Sequence, residues 1–468
     1  MTPPIKFGTD GWRAIIADTY TFENVEKVSR ATAQWLKKEY GDTPSVVIGH
    51  DTRFLGAEFT RRAAQALASA GVRVHVSDGV TTTPIISWAA LHYNLSHGIV
   101  ITASHNPPTY NGFKLKAHFG GPSTPDMIAA VEAELPQLDD DFELQSYEAL
   151  VDAGMIETID LNAPYLDVLR ERLDIEAIKG AGLKIAYDAM YGAGQGLLNE
   201  LLGDDIVTLH HELNPSFYGQ APEPIAKNLG ELSEAIKREN CDVGLATDGD
   251  ADRIGMYDEN GDFVDSHRCL SLLVDYLYND KGMRGDVVKS FSATDLLDKM
   301  AERYGLGMVT TPIGFKHIAK RMVETDVLVG GEESGGLSIK GHIPERDGLY
   351  IGLTIVEMMV KRGKTLSELV DDLFERFGAH YAYRNDLHIS NEKKVNFMKR
   401  VSEEGLSEVA GHTIVKTETI DGFKFRTDAG SWVMVRPSGT EPVLRVYSEA
   451  GSREDAEALV AGVVEMVG

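Results

Sequence analysis

The stretch 98–116, GIVITASHNPPTYNGFKLK, decides how the rest of the chain is read. It starts with Ile99-Val100-Ile101-Thr102, a β-branched run of the kind that forms a buried strand. The run stops at Ala103-Ser104-His105-Asn106-Pro107-Pro108, where paired prolines prevent strand or helix from continuing. A small hydroxyl, Ser104, is thereby placed at the carboxyl end of a core strand, where open α/β sheets present their chemistry. Asn111-Gly112 predicts a tight turn that folds Phe113-Lys114 back and aims Lys114 at the serine. Read alone, the segment is also an ordinary polar loop, since a serine's base is usually distant from it in sequence.

Working outward, strand and helix patterns alternate. Strands are predicted at 45–51 and 72–79, with helices at 21–40, 57–70 and 84–93, a βαβα order that implies a largely parallel, helix-covered sheet. An acidic connection at 136–147, with Asp139, Asp140, Asp141 and Glu143, marks a boundary. The pattern restarts with strands at 182–192, 206–211 and 241–250. After a hairpin at 258–261 it restarts again, with strands at 286–293, 307–314 and 326–333. LHIS, KFRT and SWVMVRP, with a closing helix at 453–467, predict a smaller α+β unit. The expected division is 1–145, 146–255, 256–370 and 371–468: an α/β chain of three similar mixed α/β domains plus a smaller α+β C-terminal domain.

Composition narrows the function. At 468 residues the chain exceeds one hydrophobic core, and 43% hydrophobic with 25% charged residues is globular. A net charge of −26 argues against a nucleic-acid partner, so a pocket for an anionic ligand must be locally basic. Two cysteines, Cys241 and Cys269, both in apolar segments, predict a reducing compartment and no disulfide framework. No run of 18 apolar residues occurs and MTPPIKFGTD has no targeting core, so the expectation is a soluble, cytoplasmic protein without a membrane partner.

Three further clusters carry chemistry. Asp248, Asp250 and Asp252 follow a buried strand at i, i+2 and i+4, spaced by Gly and Ala, so all three can converge on one hard cation; Mg²⁺ suits them best. A calcium loop fails because Arg253 stands where that loop needs Gly, and Arg253 instead offers a fork to a phosphate. Glu332, Glu333 and Ser334, flanked by glycines, suit vicinal sugar hydroxyls, with His342, Arg346 and Gly314-Phe315-Lys316 supplying polar groups nearby. Arg436, Ser438, Gly439 and Thr440 read as an anion nest with Arg445 assisting, and Arg13 sits on a Gly-rich turn at the start of the chain.

Together these motifs resemble the α-D-phosphohexomutase family. Thr102-Ala103-Ser104-His105-Asn106-Pro107 is similar to its phosphoserine loop and 248–253 to its metal loop. Glu332-Glu333-Ser334-Gly335 is similar to its sugar loop, 436–442 to its phosphate loop, and Phe7-Gly8-Thr9-Asp10-Gly11 to its opening. The resemblance implies four domains around a central cleft, and a phosphorylated Ser104 coordinating Mg²⁺ with Asp248, Asp250 and Asp252. It implies a phosphoryl group moved between the 1- and 6-positions of a hexose through a bound 1,6-bisphosphate, which also serves as activator. Lys114 would stabilise the transferring phosphoryl group with Arg13 and Arg253, and His105 or Lys316 would be the base. Glu-Glu-Ser with Gly336 resembles the glucose version of the sugar loop, while mannose, both hexoses or glucosamine phosphate stay open, as does a bisphosphate synthase. A hydrolase would lack the second phosphate anchor, and a non-catalytic sugar-phosphate binder would have lost Ser104 or an aspartate. The expected partner is a small hexose phosphate, the enzyme being a monomer or homodimer.

Overall fold

The computed structural model describes residues 5–139, 141–438 and 443–467. Its first sheet is built on the strand His97–Ile101, buried at every residue. The strands Ser45–His50, Arg73–Val80 and Ile156–Ile159 extend it in parallel on one side. Tyr110–Ala117 and then Trp12–Ile15 extend it antiparallel on the other. The helix Thr83–His92 packs close by. Its N-cap Thr82 accepts from Ile85 N, with Pro84 in the first turn, where its missing N–H costs nothing.

The chain reverses before Asn111-Gly112, not at it. Both residues lie inside the strand Tyr110–Ala117, and the turn closes earlier through Asn106 N to Ala103 O and Tyr110 N to Pro107 O. Gly112 serves close approach instead: a Cβ there would stand 2.4 Å from Thr102 O and 2.8 Å from Trp12 O, between two neighbouring strands.

The second sheet runs Phe263–Val264, Ile254–Tyr257, Val243–Thr247, Ile185–Asp188, Val207–Leu209, and the third runs Met308–Thr311, Asp286–Ser290, Val327–Gly331, Leu337–Ile339. Sheet membership thus crosses the compositional divisions. Ile156–Ile159 lies beyond 145 yet joins the first sheet, and Phe263–Val264 lies beyond 255 yet joins the second. The fourth sheet is antiparallel and six-stranded, with Val443–Ala450 between the edge strand Tyr381–His388 and Trp432–Pro437, and the helices Asn391–Glu404 and Arg453–Val467 contribute to its core. The chain therefore has three mixed α/β units and a distinct C-terminal unit. Among the described residues no helix is long and apolar enough to cross a membrane, and Cys241 and Cys269 are buried free thiols.

The loop after the strand Val243–Thr247 meets the serine loop, and the loop after Val327–Gly331 meets the end of that acidic loop. Four backbone bonds from different segments pin the acidic loop: Thr83 N to Asp250 O, Ala193 N to Gly249 O, Gly348 N to Ala251 O, and Ile254 N to Gly335 O. A backbone held from so many directions has little freedom, which suits a site that must keep its geometry.

Candidate active site

Ser104 is fully buried in the left-handed region (φ 53°), and its Oγ donates to Asp248 Oδ2 at 2.7 Å. Asp248, Asp250 and Asp252 are fully buried, and each offers an oxygen within 4.8 Å of the others. Asp250 Oδ1 and Asp252 Oδ1 have no hydrogen-bond partner. Buried carboxylate oxygens without partners are costly, and a set of hard oxygen donors left open together fits a hard divalent cation such as Mg²⁺. Burial, and then the charges of Asp250 and Asp252, push the Asp248 carboxyl well above its usual range.

Cations surround this acid cluster. Lys114 Nζ, fully buried, lies 2.6 Å from Asp250 Oδ2, 3.1 Å from Asp252 Oδ2 and 2.9 Å from Asp10 Oδ2. Burial alone would lower its pKa, but the surrounding acids raise it, so it stays charged. Arg346 joins Asp10 at 2.7 Å and Asp252 at 2.8 Å. Arg13 Nη1 reaches Asn106 Oδ1 in the serine loop at 2.6 Å, and Arg253 N donates to Asp248 Oδ1 at 3.1 Å. His105 Nδ1 is 3.3 Å from Ser104 Oγ. Burial, then Arg253, Arg13 and Lys114, hold its pKa well below the usual value, so the imidazole is neutral.

The two adjacent glutamates face opposite ways. Glu332 Oε1 accepts from Gly314 N at 2.7 Å, whereas Glu333 Oε2 accepts from Ser290 at 3.1 Å and from Ser292. Both carboxylates expected to meet a sugar thus have protein partners in this structure. A cavity between the second, third and fourth sheets is lined by Glu223, Asp265, His267, Glu333, Ser334 and Arg384. Glu332 is pushed up to about 7 by burial and then by Glu333. Because this exceeds its usual 4.5, the unfolded chain loses its proton first as pH rises, and stability falls between those values. Glu332→Gln keeps an acceptor for Gly314 N. It should match the wild-type thermal midpoint near pH 4.5, gain a margin that grows to about pH 7, and hold it above. A margin independent of pH in thermal melts would refute this.

The other expected residues are distributed. Lys316 lines a second cavity with Thr9, Asp10 and Gly11, on the Asp10 side of the network. Arg436 pairs with Asp421 at 2.9 Å, Arg445 Nε lies 3.9 Å from Asp386, and Ser438 N donates to Val443 O, all on the fourth unit. Gly439 and Thr440 lie outside the described residues. His342 is not brought to the cluster. It sits between Arg172 Nη1 at 2.6 Å and Asp347 Oδ2 at 2.8 Å, stacked on Tyr350, and helps hold the carboxylate that caps the helix Gly348–Arg362. Its sequence neighbourhood suggested a ligand, but fold contacts with the helix Asn162–Arg172 claim both ring nitrogens.

Sequence reading missed Asp10 as the hub between Lys114, Lys116 and Arg346, and Thr83, which donates to Asp250. It also missed Arg53 and Asp51 beneath the serine loop. The signal available was their place: a charged run directly after a buried strand.

A serine oxygen thus lies against a buried acid triad ringed by cations drawn from all three α/β units. Residues 4–141, 163–261 and 265–377 match phosphoglucomutase/phosphomannomutase α/β/α domains I, II and III, and 394–466 match the C-terminal domain of the same family. The chain belongs to the phosphoglucomutase/phosphomannomutase family, whose members are mutases, and it is an enzyme of that class. It is 36% identical over 453 residues to a phosphoglucomutase/phosphomannomutase of Thermococcus kodakarensis, covering 96% of this chain and 95% of that one. It is 33% identical to a candidate phosphoglucosamine mutase of Methanosphaera stadtmanae, over 96% and 95% of the two chains. The structure of a candidate phosphomannomutase from Thermus thermophilus superposes with a TM-score of 0.87 at 35% identity, covering both chains fully.

Proposed function

We propose that the enzyme interconverts glucose 1-phosphate and glucose 6-phosphate through a phosphorylated Ser104 and a bound glucose 1,6-bisphosphate. The observation that carries this reading is Ser104 Oγ at 2.7 Å from Asp248, inside the buried acid triad and beside a neutral His105. Asp248, Asp250 and Asp252, with Ser104, would hold Mg²⁺, which when bound neutralises charge on the transferring phosphoryl group.

The residues then divide the work. A substrate hydroxyl attacks the phosphorus on Ser104. As the new O–P bond forms, the Ser104 Oγ–P bond breaks and Oγ keeps the electron pair. The hydroxyl proton passes to His105 Nδ1, with Lys316 the other candidate base. After the bisphosphate turns end for end, Ser104 Oγ takes the other phosphoryl group and the proton returns to the released sugar oxygen. Lys114, Arg13 and Arg253 offset the charge, and Arg436, Ser438, Gly439, Thr440 and Arg445 would grip the phosphate that is not reacting. Glu332, Glu333 and Ser334 would meet the sugar, with Arg346 behind them.

The glucose assignment is supported at Gly336. Glu332-Glu333-Ser334 with Gly336 resembles the glucose version of the sugar loop, and Arg346 Cδ, 2.5 Å from where a Cβ would stand, keeps 336 a glycine. Relatives named for mannose and glucosamine phosphate keep a broader hexose range as the second reading. With Mg²⁺ and a trace of glucose 1,6-bisphosphate, kcat/KM for glucose 1-phosphate should exceed that for mannose 1-phosphate by at least about tenfold, the effect of one lost polar contact. Equal values would make the enzyme a dual hexomutase, and no turnover of either sugar would reject the assignment.

A further inference from the structure

The segment that reaches furthest into the serine loop carries none of the expected site residues. Asp51, Thr52 and Arg53 follow the strand Ser45–His50, which lies beside His97–Ile101, so they come to rest beneath the loop that Ser104 begins. Arg53 is 3% exposed, and its guanidinium donates to four main-chain carbonyls of that loop. Nη2 reaches Ser104 O at 2.5 Å and Asn106 O at 2.6 Å; Nη1 reaches Pro107 O at 2.9 Å and Tyr110 O at 3.0 Å. Nε lies 3.2 Å from Asp51 Oδ2. Asp51 also accepts from Thr102 Oγ1, whose oxygen accepts from Ser104 N at 2.8 Å. The N–H and the carbonyl of Ser104 are thus both tied to the Asp51–Arg53 pair.

A buried guanidinium spent on backbone carbonyls is costly unless the loop must hold one shape. That shape is demanding, because Ser104 is a non-glycine residue at φ 53°. The same segment also grips the unit that carries the acid triad: Thr52 Oγ1 donates to Tyr191 O at 2.7 Å, and the Phe217 ring lies 5.1 Å from the Arg53 guanidinium. The geometry points to Arg53 as a positioning residue for phosphoryl transfer, holding the Ser104 main chain in the left-handed conformation that presents Oγ to Asp248. Asp51 orients it. Arg53 itself bonds to backbone and not to the carboxylates of the triad.

Lysine cannot replace the fork, since one ammonium offers a point charge where two nitrogens now serve two pairs of carbonyls. The inference rests on Ser104 being the phosphoryl carrier, so the test follows that residue directly. Full-length wild type and Arg53→Lys are incubated with glucose 1,6-bisphosphate and phosphoryl uptake at Ser104 is timed by peptide mass, beside kcat, KM and thermal melting. Uptake and kcat should fall together by about 100-fold, the effect of a misplacement near 1 Å, with KM within threefold of wild type. Unchanged uptake, a rise in KM alone, or a loss matched by the unfolded fraction of the sample would overturn the inference. Should Arg53→Lys not fold, Asp51→Asn, which removes the orienting charge and keeps the shape, should lower kcat about tenfold at unchanged KM; wild-type kcat there overturns it equally. No uptake in the wild type would reject the mutase reading and this inference together, whereas equal uptake in both proteins rejects this inference alone.

Discussion

Ser104→Ala is expected to lower mutase turnover by more than about 10⁴-fold, the scale of loss when a covalent nucleophile is deleted. Ser104 Oγ is the hydroxyl that meets both Asp248, at 2.7 Å, and His105, at 3.3 Å. Alanine keeps the backbone bonds from Ser104 N and to its carbonyl, so the loop retains its shape. What remains is an acid triad, a set of cations and an imidazole with no oxygen to carry the phosphoryl group. The variant should fold, with a modest penalty of about 1–3 kcal/mol for the Asp248 oxygen left without its donor. Thermal melting and turnover measured on one preparation separate the two effects. Activity within tenfold of wild type would remove Ser104 from the reaction, and no neighbouring residue could rescue the scheme.

The cluster around Ser104 was more legible in the sequence than the side chains that support it. The triple aspartate was readable because i, i+2, i+4 spacing after a buried strand leaves few arrangements, and the structure gathers the three carboxylates within 4.8 Å. Ser104 was readable for a similar reason: apolar residues stop abruptly at a hydroxyl. Asn111-Gly112 misled because the dipeptide favours a turn locally, while the neighbouring strands demand a residue without a side chain at 112 for packing. His342 misled because a histidine in a polar loop gives no sign of which distant residues will meet its nitrogens; Arg172 and Tyr165 come from the helix Asn162–Arg172. Arg53 and Asp10 were overlooked because their partners lie far along the chain, Arg53 at 104–110 and Asp10 at Lys114, Lys116 and Arg346. Local pattern identifies groups that need a function, but the tertiary fold decides which groups serve them.

Asp248→Asn should change activity and stability in opposite directions. Asp248 is buried with Asp250 and Asp252, and burial and their charges push its carboxyl well above the usual range, so keeping it ionised costs stability. Lys114 reaches Asp250 and Asp252, and Arg346 reaches Asp252, so Asp248 is the least compensated of the three by side-chain cations. Asparagine is nearly the same shape. Its oxygen can still accept from Arg253 N and its amide can donate to Ser104 Oγ, so the substitution removes charge with little loss of bonding. In the presence of a chelator the variant should therefore melt about 2–4 °C above wild type. Added Mg²⁺ should raise the wild-type midpoint by mass action and leave the variant almost unmoved, since a cation site stripped of one carboxylate loses much of its affinity. Turnover should fall by more than about 10³-fold, because charge on the transferring phosphoryl group is then left unneutralised. A variant that melts below wild type in chelator and still responds to Mg²⁺ would show that the triad is a structural acid cluster. The opposed signs are what a site kept for function at the expense of stability requires, and a purely structural cluster has no reason to produce them.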